Sequence, residues 1–392
     1  MNFLRPGLGG LLLISLSTLA QSPLHGSDDG RVTVHEWGTF TSIAGSDGRA
    51  VDWLPLRGST DLPCFVERLG LDFKGTLAGK VRMETPVLYF YAPRETHVDV
   101  SVRFNRGVVT EWFPPAAVTP STVSAVAAAA FRRPGFASSA VWRDVAVRPQ
   151  TTESFRDDGR GGHYYVARKT DSAPLQVGSA QEKFLFYRGV GGFEPPVAAT
   201  VAADGSVVVE NLHGAAVGDV LLFENRSGRI TYRTLASSSN RATIDPLAID
   251  GETARPQAEL EEALIAHGLF PAEAQAMVET WRDSWFEEGS RLFYFVPLET
   301  IDAILPISIT PAPSSLVRVF VGRMELVTAA TRSEVADALA SNDSRTLAKY
   351  ARFLPAIVSN LPDPATAAER RQRASAVESA QPPLYASQPA CR

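Results

Sequence analysis

The stretch VTVHEWGTF, Val32 to Phe40, alternates as a half-buried strand does and sets a histidine beside a glutamate in its middle. With Val32, Val34, Gly38 and Phe40 as the inward face, Glu36 is aimed at apolar surroundings and His35 points outward beside Trp37. A buried carboxylate is costly unless it finds a cation, a metal or a proton. Two further acids repeat the arrangement: Glu84 in RMETPVLYFY has the parity of Leu88 and Phe90, and Glu111 in GVVTEWFPP that of Val109 and Phe113. His163, between DDGRGG and YYVAR, adds an imidazole at a glycine-rich approach that would admit a substrate or another backbone.

These residues support two chemistries. One gathers His35, Glu36, Glu84 and His163 into a catalytic acid–base site or a divalent-metal site, with Glu111 and Asp171 as outer members. The other matches the inward acids to Arg82, Arg103, Arg188, Arg291, Arg318 and Arg323, which lie in or beside apolar strands and suit buried bidentate pairs. The ion-pair reading weighs more, because buried charges without partners are rarely tolerated.

Aromatic residues offer a binding chemistry. In TWRDSWFEEGSRLFYFVP, Trp281, Trp285 and Glu288 fall on one helical stripe, with Glu287 on the polar face. Rings beside acids can stack a sugar while carboxylates read its hydroxyls; the ordinary alternative is a helix packed on a sheet by its two tryptophans. Known signatures are missing. HEWGT lacks the second histidine of a zinc-protease helix, and there is neither a CxxC pair nor a G-x-S-x-G elbow. GVGGF leads into Pro195 and Pro196 instead of a helix, which argues against a phosphate cradle.

The elements that must position these residues are mostly short strands. Through about residue 250, VLYFYA, HVDVSVRF, VWRDVAVRP and a block with hairpin tips at Asp204-Gly205 and Ser227-Gly228 read as antiparallel sandwich-like sheets. RPQAELEEALIAHGLF then predicts a helix ending at Gly268, and Pro271 opens a second with Ala274, Met277, Val278, Trp281 and Trp285 as its stripe. RLFYFVP and SLVRVFVGRMELV return to strand character, so the helices form an insertion packed on a sheet that the later strands rejoin. The fold class is mainly β with an α+β C-terminal part. The expected divisions are a signal peptide at 1–20, a β-rich region at 31–150, an antiparallel β domain at 151–255, helices plus returning strands at 256–362 and a flexible tail at 363–392.

The leader has one early charge, Arg5, and an apolar run too short to span a bilayer, as in a cleaved secretory signal. No later segment is apolar enough to span. Without Arg5 the formal net charge moves from −5 to −6, a balance unsuited to nucleic acid. Cys64 and Cys391 permit one bridge in an oxidising compartment. The strings VHEWGTFTS, METPVLYFY, EKFLFYRG and WFEEGSRLFYFVP resemble those of a group of exported bacterial proteins. That resemblance implies a secreted or periplasmic location and carries no catalytic residue, fold or cofactor. The leading expectation is an exported binding or assembly protein that recognises an envelope polysaccharide or a peptide; a hydrolase using the carboxylates and histidines is the competing one.

Overall fold

A computed structural model describes residues 31–57, 62–70, 77–122, 134–152, 154–214, 218–236, 240–246, 255–381 and 391. The expected signal at 1–20 lies outside the described residues. The first strands are β1 (Thr33–Ile43), β2 (Glu67–Arg68), β3 (Val81–Tyr91), β4 (Thr96–Asn105), β5 (Gly107–Phe113), β6 (Ala117–Thr119) and β7 (Ala137–Val147). A 3-10 turn at His163–Arg168 precedes β8 (Leu175–Val177), β9 (Ala180–Glu182), β10 (Leu185–Gly191), β11 (Val197–Val201), β12 (Val207–Asn211), β13 (Val220–Arg226), β14 (Arg229–Leu235) and β15 (Arg241–Ile244). Helices α1 (Pro256–Ala266) and α2 (Pro271–Trp285) come next, then β16 (Gly289–Phe295), α3 (Leu298–Ile304), β17 (Ile307–Thr310) and β18 (Ser315–Leu326). The chain closes with α4 (Ala329–Ser341), α5 (Ser344–Lys349), α6 (Leu354–Ser359) and α7 (Ala367–Ala380).

Nine strands form the central sheet in the order β14-β13-β16-β18-β1-β3-β10-β5-β2. It is mixed, because β1 pairs in parallel with β18 while β3 lies antiparallel on its other side. The strands come from all three expected regions between 31 and 362, so those divisions share one sheet. A six-stranded sheet containing β4 and β7 packs on one face, joining Val34, Phe40, Leu88 and Phe90 to Val100, Val102 and Trp142 in a single core. That is the sandwich. The opposite face is covered by α1, α2 and the 3-10 turn, where Trp37, Val87 and Tyr89 meet Leu264, Met277, Trp281 and Trp285. Each large apolar side chain buried this way contributes about 1.5–3 kcal/mol.

Coverage of both faces corrects the expectation for His35. It does point away from Glu36, as alternation demands, but its face is roofed by the inserted helices and His35 is 3% exposed. A second correction concerns Glu84. Met83 and Leu88 sit in the same sandwich core although five positions apart, which perfect alternation forbids. A bulge with Thr85 at φ 47° resets the parity, and the register pairs Glu84 with Thr39 on the helix face. Glu84 therefore does not share the face of Leu88 and Phe90.

The first helix stops where its cap predicts, whereas the second, expected to run to Gly289, ends at Trp285 and Gly289 opens β16. Gly268 takes φ +107°, and the His267 ring approaches the Ala263 carbonyl at 2.9 Å while stacking on Phe295. The stretch expected as a flexible tail carries α7, whose Thr366 and Glu369 exchange capping hydrogen bonds. Cys391 is bonded to Cys64, closing a loop across 327 positions.

Candidate functional site

The four residues grouped as a catalytic set fall in four places. Glu36, on the sandwich face and fully buried, accepts from Arg318 Nε at 2.6 Å and from the Tyr187 hydroxyl at 2.5 Å. Arg318 also reaches Asp302 at 2.6 Å. Burial alone would pull the Arg318 guanidinium down, but Glu36 and Tyr187 outweigh it and hold it above its ordinary value. Tyr187 is pushed well above the usual phenol range by burial and by Glu36. This is an ion pair inside a core, with Arg318 Nη2 left without a hydrogen bond among the described residues.

His35, on the helix face, has Nδ1 at 2.8 Å from Glu273 Oε2. Glu273 is fully buried; it also accepts from the Tyr91 hydroxyl at 2.7 Å and from the Phe270 backbone N–H at 2.8 Å. The carboxylate thus caps the start of α2 and docks it on β1 and β3. Phe270 lies over the imidazole with ring centroids 4.4 Å apart. His163 Nε2 lies 3.1 Å from Asp283 Oδ2, near the other end of α2. From Glu273 to Asp283 the helix rises roughly 15 Å at about 1.5 Å per residue, so the two histidines serve opposite ends of it.

Glu84 lies on the helix face, held by Arg82 at 3.5 Å and by a close contact from Arg352. Glu36 and Glu84 are therefore on opposite sides of the sheet and cannot act on one substrate atom. Glu111 accepts from the Thr110 hydroxyl at 2.5 Å and stands in register with Arg188 on β10 and Arg68 on β2. Asp171 is exposed beyond the 3-10 turn. Among the described residues no group of three or more histidine, cysteine or acidic side chains is placed to hold a metal ion.

The aromatic stripe is interior: Trp281 is 6% exposed and Trp285 0%, so neither ring is a face on which a sugar could stack. The expected roles of Glu287 and Glu288 exchange. The helix ends at Trp285, so its period does not extend to them. Glu287 turns in to accept from Arg323 at 2.7 Å, while Glu288 accepts from the Ser227 N–H at the β13–β14 hairpin tip. Sequence reasoning missed Glu273, Tyr187 and Arg352. A carboxylate at the third position of a helix is a capping signal, but Phe270 in place of serine or threonine concealed it.

A groove of about 470 Å³ lies elsewhere, between α1 and the β13–β14 hairpin. Leu221, Leu260, Ala263 and Phe293 are among its apolar lining, and Asp219, Glu259 and Glu262 bring negative charge. The groove borders β14, the terminal strand of the central sheet. Because Arg226 and Arg229 flank the two-residue turn as a hydrogen-bonded pair, alternation turns the backbone N–H and C=O of Ile230 and Thr234 away from β13. No described strand pairs with β14 on that side. Comparison with protein-family models and with curated proteins finds no match to this chain.

Proposed function

We propose that the chain is an exported binding protein of the bacterial envelope that takes an extended, positively charged peptide along β14. The observation that carries this reading is the groove itself: apolar lining, acidic side chains and an open sheet edge in one place. A peptide strand added to β14 would form ladder hydrogen bonds with Ile230 and Thr234. Its alternate side chains would enter the groove, whose volume suits several of them. Lysine or arginine at its ends would meet Asp219, Glu259 and Glu262. The Cys64–Cys391 bond supports an oxidising compartment, in keeping with the leader sequence. Peptide is favoured over polysaccharide because the tryptophans are interior. The hydrolase alternative loses its main support, since Glu36 and Glu84 are paired with arginines on opposite faces.

Fluorescence anisotropy with labelled heptapeptides tests this, comparing alternating lysine and valine with alternating glutamate and valine. The lysine peptide is expected to bind, and Glu259→Lys with Glu262→Lys to weaken it about tenfold, as two reversed exposed charges imply. Ala263→Trp, which fills the groove, is expected to abolish binding. Equal binding of both peptides, or binding indifferent to these substitutions, refutes the reading.

A further inference from the structure

Four large apolar side chains are exposed among the described residues: Ile265 and Phe270 at 42%, Leu298 at 53% and Leu316 at 37%. They are scattered in sequence, yet the topology brings all four to one end of the central sheet. Thr33, the first residue of β1, pairs with Tyr91 at the end of β3 and with Ser315 at the start of β18, so the three strands share that end and Leu316 stands on it. The Phe270 ring lies 5.0 Å from that of Tyr91, between centroids. A Cβ on Gly268 would come within 3.2 Å of Val317, which seats the last turn of α1, with Ile265, level with the first residues of β18. β16 runs toward the same end; the Val296 N–H donates to the Phe320 carbonyl at 2.9 Å, and Leu298 opens α3 two residues later.

Positive charge lies at the same end. A cavity of about 440 Å³ there is lined by Arg31, Arg94, Thr96 and His97, with Val32 and Pro311 as apolar wall. Arg94 is exposed and enters no ion pair among the described residues. Glu95, also in the lining, lies 3.9 Å from Arg148 and 3.7 Å from His97, and Asp302 in α3 is held by Arg318. Apolar side chains gathered on one side of a protein mark an interaction surface. These four offer roughly 350 Å² between them, well under the ~800 Å² per partner that a stable protein interface buries. A bilayer needs no matched surface: it takes separate apolar side chains into the boundary below its headgroups and basic ones at its phosphates. The chain also enters the fold here. Ten residues, 21 to 30, separate the expected leader from Arg31. Fully extended they reach about 35 Å, which keeps this end close to the membrane the leader engages.

We propose that this end of the sheet is a membrane-docking face: Ile265, Phe270, Leu298 and Leu316 enter the headgroup boundary while Arg31 and Arg94 receive the phosphate of an anionic phospholipid. Apolar insertion carries most of the attraction, because Glu95 and the exposed Glu299 offset part of the positive charge. The face is separate from the β14 groove and does not depend on it.

The test is flotation of the whole mature protein with vesicles of phosphatidylcholine, alone or mixed with phosphatidylglycerol. Partition into both is expected, about fivefold stronger with phosphatidylglycerol at low salt. Leu298→Ser with Leu316→Ser is expected to weaken it about tenfold or more, with circular dichroism unchanged because both side chains are exposed. Arg94→Ser is expected to remove most of the preference for phosphatidylglycerol while leaving partition into phosphatidylcholine intact. Free glycerol phosphate is expected not to compete; displacement by it would assign the cavity to a soluble phosphate compound and overturn the lipid reading. No partition into either vesicle overturns the proposal, as does partition that the paired leucine substitutions leave unchanged. Sedimentation that shows a dimer dissociated by those substitutions, without lipid binding, assigns the face to a second copy and overturns it too.

Discussion

Replacing Glu36 by glutamine removes one charge and almost no volume from the sandwich core. Its partner Arg318 has a side chain 1% exposed and would keep only Asp302, which is 56% exposed and a weak compensator. Breaking a buried pair by neutralising one member typically costs about 3–5 kcal/mol. The amide oxygen still accepts from Tyr187 or Arg318, which places the expected loss at the lower end, about 3 kcal/mol. For a chain of 392 residues, at roughly 2.1 cal/mol/K per residue, that lowers Tm by about 4 °C. Urea titration followed by circular dichroism gives the same quantity as a fall in midpoint at constant slope. Adding Arg318→Met is expected to restore most of the loss, because the penalty comes from the stranded guanidinium and not from a missing attraction. The double-mutant cycle should then show coupling of about 3 kcal/mol or more, because Arg318→Met by itself strands the Glu36 carboxylate. A single mutant within about 0.3 kcal/mol of the parent, or strictly additive losses, refutes the reasoning.

The remaining predictions concern the staple and the phenols. Cys64→Ser opens the 327-position loop and is expected to cost about 2–5 kcal/mol, read by urea titration; a midpoint identical to that of the parent would show that the bond does not form. Tyr89, Tyr164 and Tyr187 all have phenol pKa values raised well above the ordinary one, by burial first and then by Glu273, Glu182 and Glu36 respectively. The folded state therefore holds protons that the unfolded chain releases near about pH 10. Their contribution is whole below that pH and is lost as pH rises toward the folded values, so stability falls above about pH 10. Phenolate absorbance should show these three of the nine tyrosines ionising only in step with unfolding; all nine titrating while the far-ultraviolet dichroism stays native would contradict it.

Much of the fold was legible because the signals are local. The alternation of β4, the two-sided apolar run of β3 and the stripe from Ala274 to Trp285 are read from residues a few positions apart, and each is found as the periods imply. The pairing of inward acids with arginines was legible in kind, since a buried carboxylate demands a cation. Which arginine was not. Glu36 meets Arg318 across 282 positions, through a parallel pairing of the first strand with the last that no local pattern encodes.

Chain order alone determined that Glu36 and His35 face opposite ways, that an amphipathic helix follows Pro271 and that one bridge could form. Tertiary structure decided where these faces lie. A one-residue bulge at Thr85 moves Glu84 across the sheet, the end of α2 at Trp285 sends Glu287 inward and Glu288 outward, and the inserted helices roof a histidine that alternation turned away from the sandwich core. The reason is physical. Side-chain direction follows from neighbouring backbone dihedrals, whereas burial and partnership depend on which distant element arrives to cover the face, and a single irregular dihedral along the way reverses every direction beyond it.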